Sequence, residues 1–283
     1  MIAKPGPTVG FIGQGWIGKN YADDFERRGY AVVRYALEAP YIANKDAIAA
    51  CDIVFIAVPT PTTPDGFDGS IVRDSVGLVG TGKVAIIKST VLPGTTALFQ
   101  SQYPDRVLFY APEFLSEATA AYDAAHPFSN ILGAAVRDAA HEEAATRLHA
   151  ILPPAPFSLT CTSTEAELIK YAHNGSGYVE VVFFNLMYDL AQKFGVNWAP
   201  IEAALSKDPF IASRYAKPVH KTGRGAGGHC FIKDFAALRR LYEERVGDSA
   251  GIAALSAFEE KNRVLLKASG KDLDLLEGVY GTL

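Results

Sequence analysis

Apolar residues fall into two kinds of run along the first half of the chain. Short, nearly continuous stretches occur at Thr8 to Ile12, Ala31 to Tyr35, Cys51 to Val58, Lys83 to Ile87, Arg106 to Tyr110 and Asn130 to Val136. Each is strand-like, and Cys51 to Val58, continuously apolar, reads as a parallel strand covered on both faces. After the first of them, Tyr21, Ala22, Phe25 and Gly29 recur at roughly helical spacing. Strands alternating with helices predict a doubly wound α/β domain to about residue 155, with ligands bound beyond the carboxyl ends of the strands. Past Pro153-Pro154 and a short strand-like piece, Phe157 to Cys161, the pattern changes. Ser163 to Phe194 runs without proline and predicts one helix roughly 45 Å long, with Thr164 and Glu167 as a capping box. Gly175 and Gly177 inside it each cost about 1 kcal/mol relative to Ala, so close packing or a ligand is expected there. A further helical pattern covers about Gly251 to Ala268, before Gly270-Lys271-Asp272 and a closing segment Leu273 to Leu283.

Composition removes several classes of function. A net charge of −4, with no run of Lys and Arg, offers no field for nucleic acid. Cys51, Cys161 and Cys230 are odd in number, far apart and without metal-ligand spacing. They suggest neither a disulfide framework nor a metal site, and a reducing cytosol fits best. No apolar run is long enough to span a bilayer, so no membrane partner is expected.

Candidate chemistry gathers at strand ends and in one loop. Gly13-Gln14-Gly15-Trp16-Ile17-Gly18 stands between a strand and a helix, where this spacing builds a dinucleotide cradle. At the end of the second strand, where such folds present an acid to the ribose, the chain has Arg34-Tyr35. That leaves NAD against NADP open. Lys88-Ser89-Thr90 follows the fourth strand and Pro112-Glu113-Phe114-Leu115-Ser116-Glu117 the fifth. If that second segment is helical, Glu113 and Glu117 share a face. Lys170 and Asn174 share a face of the long helix. Finally, Gly225-Ala226-Gly227-Gly228 leads into His229-Cys230-Phe231-Ile232-Lys233-Asp234. Cys230 falls at a helix start, which favours thiolate, and Asp234 lies one turn later on the same face. The same residues also fit a glycine-rich turn followed by a capped helix with an incidental cysteine.

Six stretches in order, GQGWIG, FIAVPTP, IKSTVLPGT, APEFLSEA, AELIKYAHN and GAGGHCFIKD, resemble the nucleotide-sugar dehydrogenases, the UDP-glucose and GDP-mannose dehydrogenase family. The resemblance implies a Rossmann-like doubly wound parallel sheet, residues 1–157, followed by a helical dimerisation domain with a long central helix, 158–283. It implies NAD, with NADP still open, and oxidation of a sugar or sugar-nucleotide primary alcohol to a carboxylate through a thiohemiacetal and thioester. By this resemblance Cys230 is the nucleophile, Lys170 and Asn174 stabilise the oxyanion, Asp234 acts as base with a water, and Thr90 and Glu117 position that water. The substrate lies against Glu113, Phe114, Leu115 and Gly227. The cofactor lies against Gly13, Gln14, Gly15, Trp16, Ile17, Gly18, Tyr35, Val58, Pro59, Thr60, Ser89 and Lys233. A homodimer through the long helix is expected.

The chain also departs from the family. It stops where a further C-terminal domain would grip the nucleotide, and Ser116, Phe128-Ser129, Glu180 and Phe210 stand where the family often has cations. These departures predict weak binding of UDP-sugars or another substrate. Two other readings follow: a two-electron dehydrogenase of a smaller hydroxy compound, and a non-catalytic dinucleotide-binding protein completed by a partner chain.

Overall fold

A computed structural model describes residues 6–282. In chain order come β1 (Val9–Ile12), α1 (Trp16–Arg27), β2 (Val32–Tyr35), α2 (Lys45–Ala50) and β3 (Ile53–Ile56). A hairpin of β4 (Thr62–Thr63) and β5 (Gly66–Phe67) leads to α3 (Ser70–Gly77), β6 (Val84–Ile87), α4 (Thr95–Gln102) and β7 (Val107–Tyr110). Then follow α5 (Ala120–Ala125), β8 (Ser129–Ala134), α6 (Ala139–Ile151), β9 (Phe157–Thr162) and α7 (Ser163–Lys193). The remainder is α8 (Trp198–Leu205), a hairpin of β10 (Val219–His220) and β11 (Gly223–Arg224), α9 (Gly228–Arg245), α10 (Ser249–Ser269) and α11 (Leu273–Tyr280). Two compact units emerge, one built from residues up to Thr60 and Asp68–Lys170, the other from Pro61–Phe67 and Tyr171 onward.

The first unit holds a sheet ordered β2-β1-β3-β6-β7-β8-β9. The apolar sequences of β1, β3 and β6 are wholly buried, as strands covered on both faces require. In their register Ile12 lies opposite Tyr35 on one side and Ile56 on the other, so the segments after these strands leave the sheet at one end. Phe11 stacks on Phe55 with ring centroids 5.1 Å apart, and Phe25 of α1 closes on both.

The doubly wound, mostly parallel sheet is as expected, with one antiparallel pairing, that of β8 to β7. The six residues of α5 span only about 9 Å and pack on α1, too short to carry the chain back along a strand, so it re-enters the sheet from the end it left. The strand-like piece at Phe157 is indeed a strand, the seventh of the sheet, paired with β8 along its whole length; one expectation is corrected. The capping box of α7 is Thr162 with Glu165: the Glu165 carboxylate accepts from Thr162 N and Oγ1, and Glu165 N donates back to Thr162 Oγ1. Glu167 is instead fully buried, accepting from Gly94 N, Thr96 N and Thr96 Oγ1.

The second unit is helical apart from its two hairpins. Tyr178 of α7 stacks on Phe235 of α9 at 3.8 Å, and Ile232 and Ala236 of α9 pack with Leu266, Leu276 and Val279. Close packing accounts for the two glycines within α7. A Cβ on Gly177 would lie 2.8 Å from the Tyr215 ring and 3.0 Å from Phe231, and one on Gly175 would lie 3.2 Å from Leu238. Among the described residues no helix is long and apolar enough to cross a membrane.

Candidate active site

The turn after β1 uses its glycines in different ways. Gly13 has φ +90°, and a Cβ there would lie 2.1 Å from Ala57 O, while at Gly18 one would lie 1.9 Å from Gly13 O. Around Gly15 a Cβ would meet nothing within 4 Å. So the first glycine makes the turn, the third lets α1 pack tightly, and the middle one leaves bare backbone where a pyrophosphate can approach. Gly15 provides no side-chain cap for α1, and the first turn, which begins with the exposed Trp16 and includes Ile17, contains no acid. No carboxylate of the helix therefore competes with an anion for its first N–H groups.

Other cofactor candidates sit at neighbouring strand ends. Tyr35 is buried and accepts from Gly13 N through its carbonyl. Arg34 is held by Asp23 at 2.7 Å and Glu26 at 2.8 Å, and it also donates to Gln14 Oε1. Both carboxylates would compete with a 2′-phosphate for that guanidinium. The Ser89 hydroxyl accepts from Val58 N at 2.9 Å and donates to Val58 O at 2.7 Å, locking the ends of β3 and β6 together. Pro59 is exposed and Thr60 buried.

A buried charge cluster lies further along the same sheet end. Lys170 Nζ donates to the Glu113 carboxylate at 2.9 Å and to the Glu113 carbonyl at 2.6 Å, and both side chains are nearly inaccessible. The other Glu113 oxygen accepts from Leu115 N. Lys170 also stands 5.4 Å from the Phe114 ring centroid. Burial raises the Glu113 pKa, but the Lys170 charge and hydrogen bond and the Leu115 N–H outweigh it and hold the carboxyl below its ordinary value.

The shared helical face expected for Glu113 and Glu117 is not formed, since residues 111–116 are irregular and Glu117 opens an exposed turn. A helix would need the Glu113 carbonyl to accept from residue 117, and Lys170 takes that carbonyl instead. Thr90 is buried just beyond β6. Lys88, which the candidate set omits, belongs to this cluster. It is buried, donates to Ala111 O and stands 4.3 Å over the Tyr21 ring. Burial pushes it down to about 8, partly offset by Glu113. The only signal for it in the sequence is its place in Lys88-Ser89-Thr90.

In the second unit α9 begins at Gly228 behind the N-cap Gly227, which puts Cys230 in the first turn, and this residue is exposed. Asp234, one turn on, is buried and accepts from Asn174 Nδ2 at 2.7 Å and from Lys233 Nζ. An amide nitrogen carries two hydrogens, so one of Asn174's is committed to Asp234 and one is left for another acceptor. The structure thus pairs Asn174 with Asp234, Asp234 with Lys233, and Lys170 with Glu113. The other two thiols are shielded: burial and Asp52 push Cys51 up to about 11, and burial and Glu165 raise Cys161.

The NAD binding domain of the UDP-glucose/GDP-mannose dehydrogenase family matches residues 35–152, and the central domain of the same family matches 164–263. The chain is 29% identical to the UDP-glucose 6-dehydrogenase YwqF of Bacillus subtilis, over 92% of this chain and 59% of that protein. It is 34% identical to the UDP-glucose 6-dehydrogenase of Rhizobium meliloti, over 71% of this chain and 48% of that one. It therefore spans about half the length of the curated relatives it matches. A UDP-glucose dehydrogenase structure from the hyperthermophilic archaeon Pyrobaculum islandicum aligns with a TM-score of 0.79 at 26% identity, covering 100% of this chain and 74% of that one.

Proposed function

Since the chain belongs to the UDP-glucose/GDP-mannose dehydrogenase family and carries its NAD-binding domain, we propose that it oxidises the C6 primary alcohol of a UDP-glucose-like sugar nucleotide to the uronic acid, with Cys230 as a covalent nucleophile. The observation that carries this reading is the first turn and a half of α9, where an exposed thiol precedes a buried carboxylate held by an amide and an ammonium.

NAD, when bound, supplies a hydride acceptor, used twice per sugar. Asp234, through a water positioned by Thr90 and Glu117, removes the alcohol proton as a hydride leaves C6, which leaves the aldehyde. The Cys230 thiolate then adds to the aldehyde carbon, and the resulting oxyanion is stabilised by the Lys170 ammonium and the uncommitted Asn174 hydrogen. Loss of the second hydride leaves a thioester on Cys230. Water attacks it, the thiolate leaves, and the carboxylate is released. Lys170 is pre-oriented for its part by Glu113, which fixes its position before any substrate arrives.

Glu113, Phe114, Leu115 and Gly227 are assigned to the sugar. Gly13 to Gly18, Tyr35, Val58, Pro59, Thr60, Ser89 and Lys233 are assigned to NAD. A homodimer is proposed through α7, on which Phe183, Leu186 and Leu190 form an exposed apolar stripe, continued by Phe194.

The test is NADH formed per sugar consumed, over a panel of UDP-, GDP- and plain sugars. Two per sugar with a uronic acid product supports the covalent cycle. One per sugar, together with normal turnover by Cys230→Ser, overturns it in favour of a two-electron dehydrogenase.

A further inference from the structure

The loop that presents Cys230 has almost no side chains with which to hold its own shape. Gly225, Ala226, Gly227 and Gly228 contribute one methyl group between them, and Gly225 and Gly228 both have positive φ. Its backbone hydrogen bonds go instead to α10 and the turn that follows it. Arg224 N donates to Ser269 Oγ at 3.1 Å. Asn262, almost fully buried, accepts from Ala226 N at 2.7 Å and donates to Ala226 O at 2.9 Å, as a neighbouring strand would. Lys271 Nζ donates to Gly225 O at 2.9 Å, and Gly228 N donates to Asp272 Oδ2 at 2.7 Å. A Cβ on Gly227 would lie 2.0 Å from that same Asp272 oxygen.

The last two contacts involve two charged side chains directed at backbone. Lys271 is buried, and Asp272 adopts φ +52°, a left-handed conformation uncommon outside glycine though tolerated by Asp. The chain accepts both costs in a turn far from Cys230 in sequence.

Resting on the reading of Cys230 as the nucleophile, we infer that Lys271 and Asp272 are positioning residues for that thiol: together they clamp the Gly225–Gly228 backbone, and their opposite charges tune the field at the start of α9. The Asp272 carboxylate sits on an N–H of the helix start and counters its positive end, while the Lys271 ammonium acts in the opposite sense. Charged or titratable groups near this turn include Lys217, His220 and Lys221 from the preceding segment, and His229, Lys233 and Asp234 follow Gly228 along α9.

The test is the rate of Cys230 alkylation by iodoacetamide at neutral pH in the full chain, with the modified peptide identified by mass. Asp272→Asn keeps an acceptor for Gly228 N but removes the charge, and is expected to speed alkylation about two- to fivefold. Lys271→Met removes the cation and is expected to slow it by a similar factor. A turn that is merely structural would loosen in both variants and shift both rates in one direction, and that result, or no change in either, overturns the inference. If Lys271→Met does not fold, the pH dependence of alkylation in Asp272→Asn decides: a profile shifted to lower pH supports the clamp, and an unshifted profile, whether at the parent's rate or raised equally at every pH as loosening would raise it, sinks it. Alkylation needs no turnover. Opposite shifts in a protein that makes one NADH per sugar would therefore refute the covalent cycle and leave the clamp standing, and the reverse result would remove only the clamp.

Discussion

Replacing Lys170 with Met takes an ammonium out of a site where it is 3% accessible and leaves Glu113, 4% accessible, without the cation bonded to it, with only the more distant Lys88 charge remaining. The carboxylate keeps its bond from Leu115 N but loses its charge partner. Breaking a buried ion pair from one side costs about 3–5 kcal/mol, whereas replacing both partners with neutral groups often costs far less. Glu113→Gln is expected to cost a similar amount from the other side, because the Lys170 charge then stays buried. The double variant should therefore be more stable than the sum of the singles predicts, by at least about 2 kcal/mol. Urea unfolding of the four proteins, followed by circular dichroism, measures this directly.

The pH dependence has a definite sign. The Glu113 pKa is depressed in the folded protein, so its contribution is complete above the unfolded value near 4.5 and is lost as pH falls through the lower folded value. In Lys170→Met the depression is relieved because burial alone raises this carboxyl, so the share of acid destabilisation that Glu113 contributes should disappear and the acid limb should flatten. Additivity of the single variants within about 0.5 kcal/mol, or an unchanged acid limb, would refute the reasoning.

Two further substitutions probe packing and cofactor choice. Gly177→Ala gains about 1 kcal/mol in helix propensity but forces a Cβ to within 2.8 Å of Tyr215. It should lower stability by about 1–2 kcal/mol net, whereas Gly278→Ala, which meets nothing within 4 Å, should raise it; urea unfolding that finds Gly177→Ala no less stable than the parent would contradict the packing account. Asp23→Ala with Glu26→Ala frees Arg34 from both carboxylates and should improve NADP binding relative to NAD by about tenfold, measured by fluorescence titration of Trp16. No change in that ratio would mean that Arg34 does not face the ribose.

The elements were legible wherever a local pattern was sufficient. The buried runs of β1, β3 and β6, the glycine turn before α1 and the proline-free stretch of α7 each follow from composition and spacing within a few residues. The first-turn placement of Cys230 and the spacing of Asp234 were legible for the same reason.

What the sequence could not supply depends on partners distant along the chain. Glu167 has the spacing of a capping residue, but buried N–H groups at Gly94 and Thr96 claim it. Glu113 and Glu117 have helical spacing, yet Lys170, 57 residues away, takes the carbonyl that a helix would use. Arg34 stands where the choice between NAD and NADP is read, and only the structure shows Asp23 and Glu26 on it. The grip of Lys271 and Asp272 on the glycine loop joins residues 44 and 46 apart. In each case a local pattern fixes which hydrogen bonds and charges are available, and only tertiary structure decides which partners satisfy them, because a buried polar group must be satisfied by whatever folding brings beside it.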